Sequence, residues 1–226
     1  MKAAHFGGGK PAAVIFDLDG TLVDSAPDIH YSLNAVLNQR GLNSIELNSV
    51  ALMIGGGPEL LIRRALDELG AAAEAGEITE LTTEFETAYL QHGNTLTNLF
   101  PGALECLTEL DRHGIPIGLC SNKPEHICGQ LLADLKIRKF FVAIQGSGTG
   151  LPRKPHPGPL LAILDRLGAK AVQALYVGDS RTDVDTARAA EVPVALVKHG
   201  YTSEPAAALG SDWVVDSLAD IPSIWQ

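Results

Sequence analysis

No apolar run in this chain of 226 residues approaches the ~18 consecutive residues that a membrane-spanning helix needs. Basic residues are also in the minority, 17 Lys and Arg against 27 Asp and Glu, for a net charge of −10. That balance excludes the basic face expected of a nucleic-acid binder. It also means that an anionic ligand would have to be attracted locally, by a few Lys or Arg side chains or a bound cation. Cysteine is scarce: Cys106, Cys120 and Cys128 form an odd set with no metal-ligand spacing, as expected of reduced thiols in a cytoplasmic protein. Cys120 is open to two readings, an oxidation-sensitive thiol or a small apolar residue ending a buried strand. No Lys occurs between Lys10 and Lys123, so that half of the chain offers no side-chain amine for Schiff-base chemistry. The opening Met1-Lys2-Ala3-Ala4-His5-Phe6 lacks the long apolar region of a signal peptide. Gly7-Gly8-Gly9-Lys10 is followed by Pro11 instead of the Ser or Thr of a phosphate-binding loop, and reads as a flexible leader. The seven His residues are scattered, and His156 is expected to be a loop residue.

What the chain has is an apolar fraction of 46%, enough for a full core, and one dense motif. Ala12-Ala13-Val14-Ile15 runs into Phe16-Asp17-Leu18-Asp19-Gly20-Thr21-Leu22. Two carboxylates two residues apart at the end of a buried strand repel each other and lose solvation. Such a pair usually persists where a divalent cation, a proton or a reaction uses it. Asp-Gly is also an ordinary turn dipeptide, so the segment alone leaves both readings open.

Three later segments also follow apolar runs of strand length: Ser121-Asn122-Lys123-Pro124, Arg153-Lys154-Pro155-His156-Pro157 and Gly178-Asp179-Ser180-Arg181-Thr182-Asp183. In an open α/β sheet the carboxyl ends of the strands lie on one edge, where ligands bind. The chain would thus bring to one edge a carboxylate pair, a hydroxyl, a lysine and a second acidic pair. That set suits phosphoryl transfer. Asp can be a covalent nucleophile, carboxylates can hold Mg²⁺ beside a phosphate, and Lys and Ser can stabilise the transferring group.

The four segments resemble, in order, the four motifs of the haloacid dehalogenase superfamily, and more narrowly the phosphoglycolate phosphatases. Leu22-Val23-Asp24-Ser25-Ala26-Pro27-Asp28, Tyr176-Val177 and His199-Gly200-Tyr201 add to the second likeness. The resemblance implies that Asp17 attacks phosphorus, that Asp19 is the acid and base, and that Ser121 and Lys154 stabilise the phosphoryl group. It implies Mg²⁺ held by Asp17, the backbone carbonyl of Asp19, and Asp179, with Asp183 orienting these from behind. Thr21 and Asn122 are further candidates for substrate contact. The dehalogenases typically lack the second carboxylate, so Asp19 argues for a phosphate ester. Phosphonoacetaldehyde hydrolases use a cap lysine, and here there is none to use. The implied substrate is a small phosphorylated metabolite, with 2-phosphoglycolate foremost. A sugar-phosphate phosphatase or a phosphomutase resembling β-phosphoglucomutase is the alternative, Thr21 arguing weakly for the hydrolases.

Asp17 and Ser121 are 104 residues apart, far more than a crossover helix requires. Between them apolar residues recur at helical spacing: Ile29, Leu33, Val36 and Leu37; Leu60, Leu61, Ala65, Leu66 and Leu69; Ile78, Leu81, Phe85, Ala88 and Tyr89. No convincing strand interrupts them, and Ala71–Glu77 reads as a helix end or a mobile loop. The expected organisation is a core domain at 1–26 and 100–226 with an inserted helical cap at 27–99. Asp24–Pro27 and Leu99–Pro101 are the natural hinges. Gly56, in Gly55-Gly56-Gly57 before a helix, could meet a substrate anion or form a tight turn; at most one of Arg63 and Arg64 should face the site. Downstream, helices at 103–112, 125–135, 159–167 and 183–190 alternate with strands at 174–177, 194–197 and 213–215. This predicts a doubly wound α/β fold with a parallel, Rossmann-like sheet, as a monomer or homodimer.

Overall fold

A computed structural model of the chain describes Phe6 and residues 9–225. The leader expected around Gly7–Lys10 and the opening residues lie largely outside the described residues. Of that stretch, Phe6 is buried and stacks on Trp213 at 6.0 Å between ring centres, and Lys10 Nζ donates to the carbonyl of His113 at 2.6 Å.

The core is a six-stranded, all-parallel sheet. In chain order its strands are β1 (Ala13–Phe16), β4 (Ile117–Pro124), β5 (Phe141–Ser147), β6 (Ala174–Gly178), β7 (Val194–Val197) and β8 (Trp213–Val215). Their order across the sheet is β5-β4-β1-β6-β7-β8. Both faces are covered, so the strands are mostly apolar, the polar residues of β4 and β5 falling at their carboxyl ends. Side chains of β1 alternate between two apolar clusters: Val14 and Phe16 point to one, Ala13 and Ile15 to the other. The first cluster takes in α5 (Ala103–Arg112) and α6 (Glu125–Asp134); the second takes in α7 (Gly158–Leu167) and α8 (Arg181–Ala189). On α5 the buried positions are Ala103, Cys106, Leu107 and Leu110, the i, i+3, i+4, i+7 stripe of a helix lying on a sheet.

The chain leaves β1 through β2 (Val23–Asp24), forms four helices and returns through β3 (Asn98–Leu99). β2 and β3 pair antiparallel, at the two segments expected as hinges. The helices are α1 (Ala26–Gln39), α2 (Leu47–Met53), α3 (Pro58–Glu68) and α4 (Ala75–His92). They share an apolar cluster that includes Leu33, Leu37, Ile62, Ala65 and Phe85. A buried acid ties the start of the insertion to its end. Asp28 accepts from the backbone N–H groups of Leu96 and Thr97 and from the Thr97 hydroxyl, and lies 2.9 Å from His92 Nε2.

Three details depart from the sequence pattern. The strand expected to end at Cys120 continues to Pro124, with an irregular register against β5 beyond Cys120. The two residues of β3 and the seven of α2, where only Val50 and Met53 are buried, are too short for a period to show. Ala71–Glu74 is a loop, and Glu74 starts α4 through a capping box with Glu77.

Candidate active site

Asp17 follows β1, and its N–H donates to the carbonyl of Val177 on β6 at 2.9 Å, which fixes it in the crevice between the two strands. Gly20 then turns the chain at φ +84°. A Cβ there would stand 2.6 Å from Asp179 Oδ2, so only glycine allows the approach. Asp179, at the end of β6, accepts from the Thr21 hydroxyl at 2.9 Å and from the N–H of Tyr201 at 2.8 Å. Tyr201 in turn reaches the first hinge, donating its hydroxyl to Asp24 at 2.6 Å and accepting from the N–H of Ala26 at 3.0 Å.

Lys154 Nζ sits beneath these carboxylates, 3.0 Å from Asp17 Oδ1 and 2.8 Å from Asp183 Oδ1, with the Tyr176 hydroxyl at 2.9 Å. Asp183 is fully buried at the start of α8. Its Oδ2 accepts from the N–H groups of Asp179 and Ser180 and from the Ser180 hydroxyl, closing a capping box. Both Asp183 oxygens are thus engaged by the chain itself. Asp17 Oδ1 has only the charge of Lys154 nearby and accepts no directed hydrogen bond.

The electrostatics follow from burial. Loss of solvation, offset in part by Lys154 and reinforced by Asp183, pushes the Asp17 carboxyl from 3.8 to about 6. Burial and the charges of Asp183 and Asp17 hold Asp179 well above the carboxylate range. Burial would also raise Asp183, but Lys154 and the bonds from Ser180 and Asp179 outweigh it and keep it below its ordinary value. For Lys154 burial opposes the charge, and Asp17 and Asp183 outweigh burial, so the ammonium form is favoured. Asp17, Asp179 and Asp183 bring ligand atoms within 4.8 Å of one another. Ionised together, the three acids would face a single ammonium, a shortfall of two positive charges. That shortfall and the orphaned Asp17 oxygen fit a divalent cation with oxygen ligands.

β4 supplies the opposite wall. Ser121 Oγ accepts from the N–H of Lys123 at 3.3 Å, which leaves its proton to be donated into the cavity. Asn122 is fully engaged: its amide donates to the carbonyls of Gly55 and Lys154, and its oxygen accepts from the N–H of Lys154. It therefore ties the glycine loop of the insertion to the Lys154 segment, and has no N–H left to donate to a substrate in this arrangement. Asp19 accepts from the Ser25 hydroxyl at 2.5 Å and from Lys123 Nζ at 3.1 and 3.3 Å.

The insertion covers these groups and leaves a cavity of about 50 Å³, room for a few waters. Asp17, Asp19, Ser121, Asn122 and Lys123 line its floor, and apolar side chains of α1, α3, α4 and α6 its roof and sides. Of the Gly55–Gly57 loop, Gly55 and Gly57 line the cavity and Gly56 does not. Arg63 also lies outside the lining, in an exposed ion pair with Glu59 at 2.8 Å. Arg64 donates to the carbonyl of Met53 and borders a separate surface groove. Thr21 meets Asp179 rather than the cavity. Cys120 is buried, and burial above all holds its thiol up at about 12, which removes the basis for a reactive thiolate.

The sequence profile of the haloacid dehalogenase-like hydrolases matches residues 14–197. The chain belongs to that family. Among relatives, it is 42% identical to a phosphoglycolate phosphatase of Rhodospirillum rubrum and 36% identical to one of Caulobacter vibrioides; each alignment covers 93% of this chain and 89% of the relative. A crystal structure of a predicted phosphoglycolate phosphatase from Haemophilus somnus superposes with a TM-score of 0.89 at 31% identity, over 95% of this chain and 98% of that one. Among the described residues of this haloacid dehalogenase-like hydrolase, no helix is long and apolar enough to cross a membrane.

Two site residues had no assigned role in the sequence reading. Tyr176 looked like any other strand residue, and its hydroxyl at the Lys154–Asp183 contact follows from the alternation of β6 alone. Lys123 stood next to Ser121, but its burial beside Asp19 depends on the irregular end of β4.

Proposed function

We propose that this hydrolase is a Mg²⁺-dependent phosphatase acting on a small phosphorylated metabolite, 2-phosphoglycolate first among the candidates, through an aspartyl-phosphate on Asp17. The observation that carries the reading is the buried acid cluster, two positive charges short when fully ionised, beneath a small, partly open cavity. The likeness to phosphoglycolate phosphatases supports the substrate.

In this reading a carboxylate oxygen of Asp17 attacks phosphorus and the P–O bond to the leaving group breaks. Lys154 balances the charge of Asp17, and Ser121 donates its hydroxyl to a phosphoryl oxygen. Asp19, at the cavity edge, gives its proton to the departing alkoxide. It then takes a proton from the water that attacks the phosphorus of the aspartyl-phosphate, which frees Asp17 and releases orthophosphate. Asp183 holds Lys154 and the backbone of Asp179 in place. Asp17, the backbone carbonyl of Asp19, and Asp179 would hold Mg²⁺. When bound, it supplies positive charge to the carboxylates and to the phosphoryl oxygens. The small, mostly apolar cavity wall suits a compact leaving group better than a polyol that needs many hydrogen bonds. The buried cysteines, none in a disulfide, fit a reducing cytoplasm.

The test is phosphate release across a panel of metabolite esters, with Mg²⁺ and with excess chelator. We expect 2-phosphoglycolate to rank first and chelation to remove the activity. Undiminished release in chelator would sink the metal assignment, and a sugar phosphate at the head of the ranking would sink the substrate.

A further inference from the structure

Lys123 is the one cation among the residues lining the cavity, and its position speaks to which leaving group the site accepts. It is a buried lysine, 8% exposed, whose ammonium touches Asp19 and lies 4.5 Å from the ring centre of Tyr89 on α4. Burial opposes its charge, and Asp19, with smaller contributions from Tyr89 and Cys128, outweighs burial and keeps it protonated. The carboxylate of Asp19 takes up at most two of its three donors, and the remaining one, beside Tyr89, is the donor an incoming acceptor would engage. Around it the wall is apolar: Ile29, Ile54, Leu61, Phe85 and Ile127. The arginines nearest in sequence to the covering loop are engaged elsewhere, Arg63 with Glu59 and Arg64 with Met53.

We infer that Lys123 is the receptor for a carboxylate on the leaving group, and that it selects phosphorylated 2-hydroxy acids over neutral esters of the same size. This rests on the phosphatase reading above, in which Asp19 protonates the ester oxygen. A cation bonded to Asp19 then stands next to that oxygen. An acid group one carbon away can reach it, whereas one further along a longer chain meets the apolar wall. A carboxylate entering such a cavity without a cationic partner would lose its hydration with no return. With Lys123 it gains a charge-assisted hydrogen bond. A neutral leaving group leaves that donor unanswered, which is how a polar site rejects an analogue that lacks the matching group.

The experiment compares 2-phosphoglycolate with 2-hydroxyethyl phosphate, which replaces the carboxylate by a neutral CH₂OH, in the wild type, Lys123→Met and Lys123→Arg, all with Mg²⁺. In the wild type kcat/KM should favour the acid by about 100-fold. Lys123→Met should bring that ratio close to one, with the larger share of the loss in KM for the acid, and Lys123→Arg should retain most of the preference. Glycolate, the expected product, should inhibit the wild type competitively and lose at least about tenfold in potency against Lys123→Met. If Lys123→Met lowered both esters equally and left glycolate inhibition unchanged, Lys123 would act only through Asp19 and the inference would be overturned, while the phosphatase reading stood. A wild type that released no phosphate from either ester but did so from a sugar phosphate would overturn the inference together with the 2-phosphoglycolate assignment, while release from no ester at all would overturn the phosphatase reading. Should Lys123→Met fail to fold, Lys123→Arg and the wild type decide. A wild type indifferent to the carboxylate and not inhibited by glycolate overturns the inference; a strong acid preference kept in Lys123→Arg supports it.

Discussion

At the floor of the cavity, the ends of β1, β4 and β6 and the Lys154 segment deliver polar groups that brace one another. Lys154 meets two carboxylates and a phenol, Asp183 receives bonds on both oxygens, and Asp179 is held from two sides. At its roof, the helices between β2 and β3 supply mostly methyl groups and rings, and their charged side chains, buried Asp28 apart, largely face outwards. The floor is densely hydrogen-bonded and suits a phosphoryl group, which every candidate ester shares. The roof is a packed helical bundle on a two-stranded stem, and meets whatever the ester carries. Changes at the floor groups that meet the phosphoryl group should therefore cost all substrates alike, and changes in the roof, or at Lys123 on the floor's edge, should cost them selectively.

The largest effect that would break this comparison is at Asp17. Asp17→Asn should abolish phosphate release from every ester, by at least about 10⁴-fold in kcat, because an amide is a poor nucleophile and metal ligand. Full activity in that variant would remove the covalent mechanism and with it the special status of the floor. Lys154→Ala comes next. Its loss should be on the order of 10²–10³ in kcat and should be the same within a few-fold for phosphoglycolate and for a neutral ester. A variant that re-ranked the esters would show that Lys154 reads the leaving group as well as the phosphoryl group.

Much of the floor was legible because its chemistry is written in short segments after apolar runs of strand length, directly for Asp17, Ser121 and Asp179 and across a Gly-rich loop for Lys154. Asp17, Ser121, Lys154 and Asp179 need only the rule that parallel strands end on one edge to be brought together. The helices of the core were legible too: α5 spans the predicted 103–112, and α6, α7 and α8 begin or end within about two residues of expectation. The insertion showed its helical period but not its stem. Two-residue strands carry no pattern, and the contacts of Tyr201 with Asp24 and Ala26, which hold the first of them, span some 175 residues of sequence. Side-chain direction on the roof was illegible for a similar reason. Arg63 and Leu61 are two residues apart on one helix, and whether either lines the cavity depends on how that helix is set over the site.

A smaller effect concerns stability. Asp17 has a higher proton affinity when folded, about 6 against 3.8, so between those pH values the folded chain holds more protons than the unfolded one. Its contribution to stability therefore falls as pH rises through that window and stays unfavourable above it. The metal-free Asp17→Asn protein should melt higher than the metal-free wild type at pH 8, by on the order of a few °C. The gap should narrow as pH is lowered through about 6 towards 4. His199 is lowered by burial and acts in the opposite sense, but it is present in both proteins and leaves the difference between them. Adding Mg²⁺ should raise the melting point of the wild type and leave Asp17→Asn nearly unmoved. A gap that widened on acidification would mean that Asp17 is not a strained carboxylate.

The smallest expected effect is at Arg63, on the outside of the roof. Its guanidinium pairs with Glu59 one turn earlier on α3, both side chains being nearly half exposed. Exposed pairs of this spacing contribute about 0.3–0.5 kcal/mol. Arg63→Ala should thus shift the melting point by no more than about 1–2 °C. It should also leave kcat/KM within about twofold on every ester, since no atom of Arg63 borders the cavity. Leu61→Ala supplies the contrast on the same helix. Leu61 is buried against the cavity, so truncation should cost about 2–5 kcal/mol of stability and relax the preference for small leaving groups. The pair separates the two faces of α3 by one measurement, the ranking of several phosphate esters. If Arg63→Ala re-ranked them and Leu61→Ala did not, α3 would have to turn its other face to the substrate when the insertion moves on its stem. The selectivity of the roof would then belong to that second position and not to the one described above.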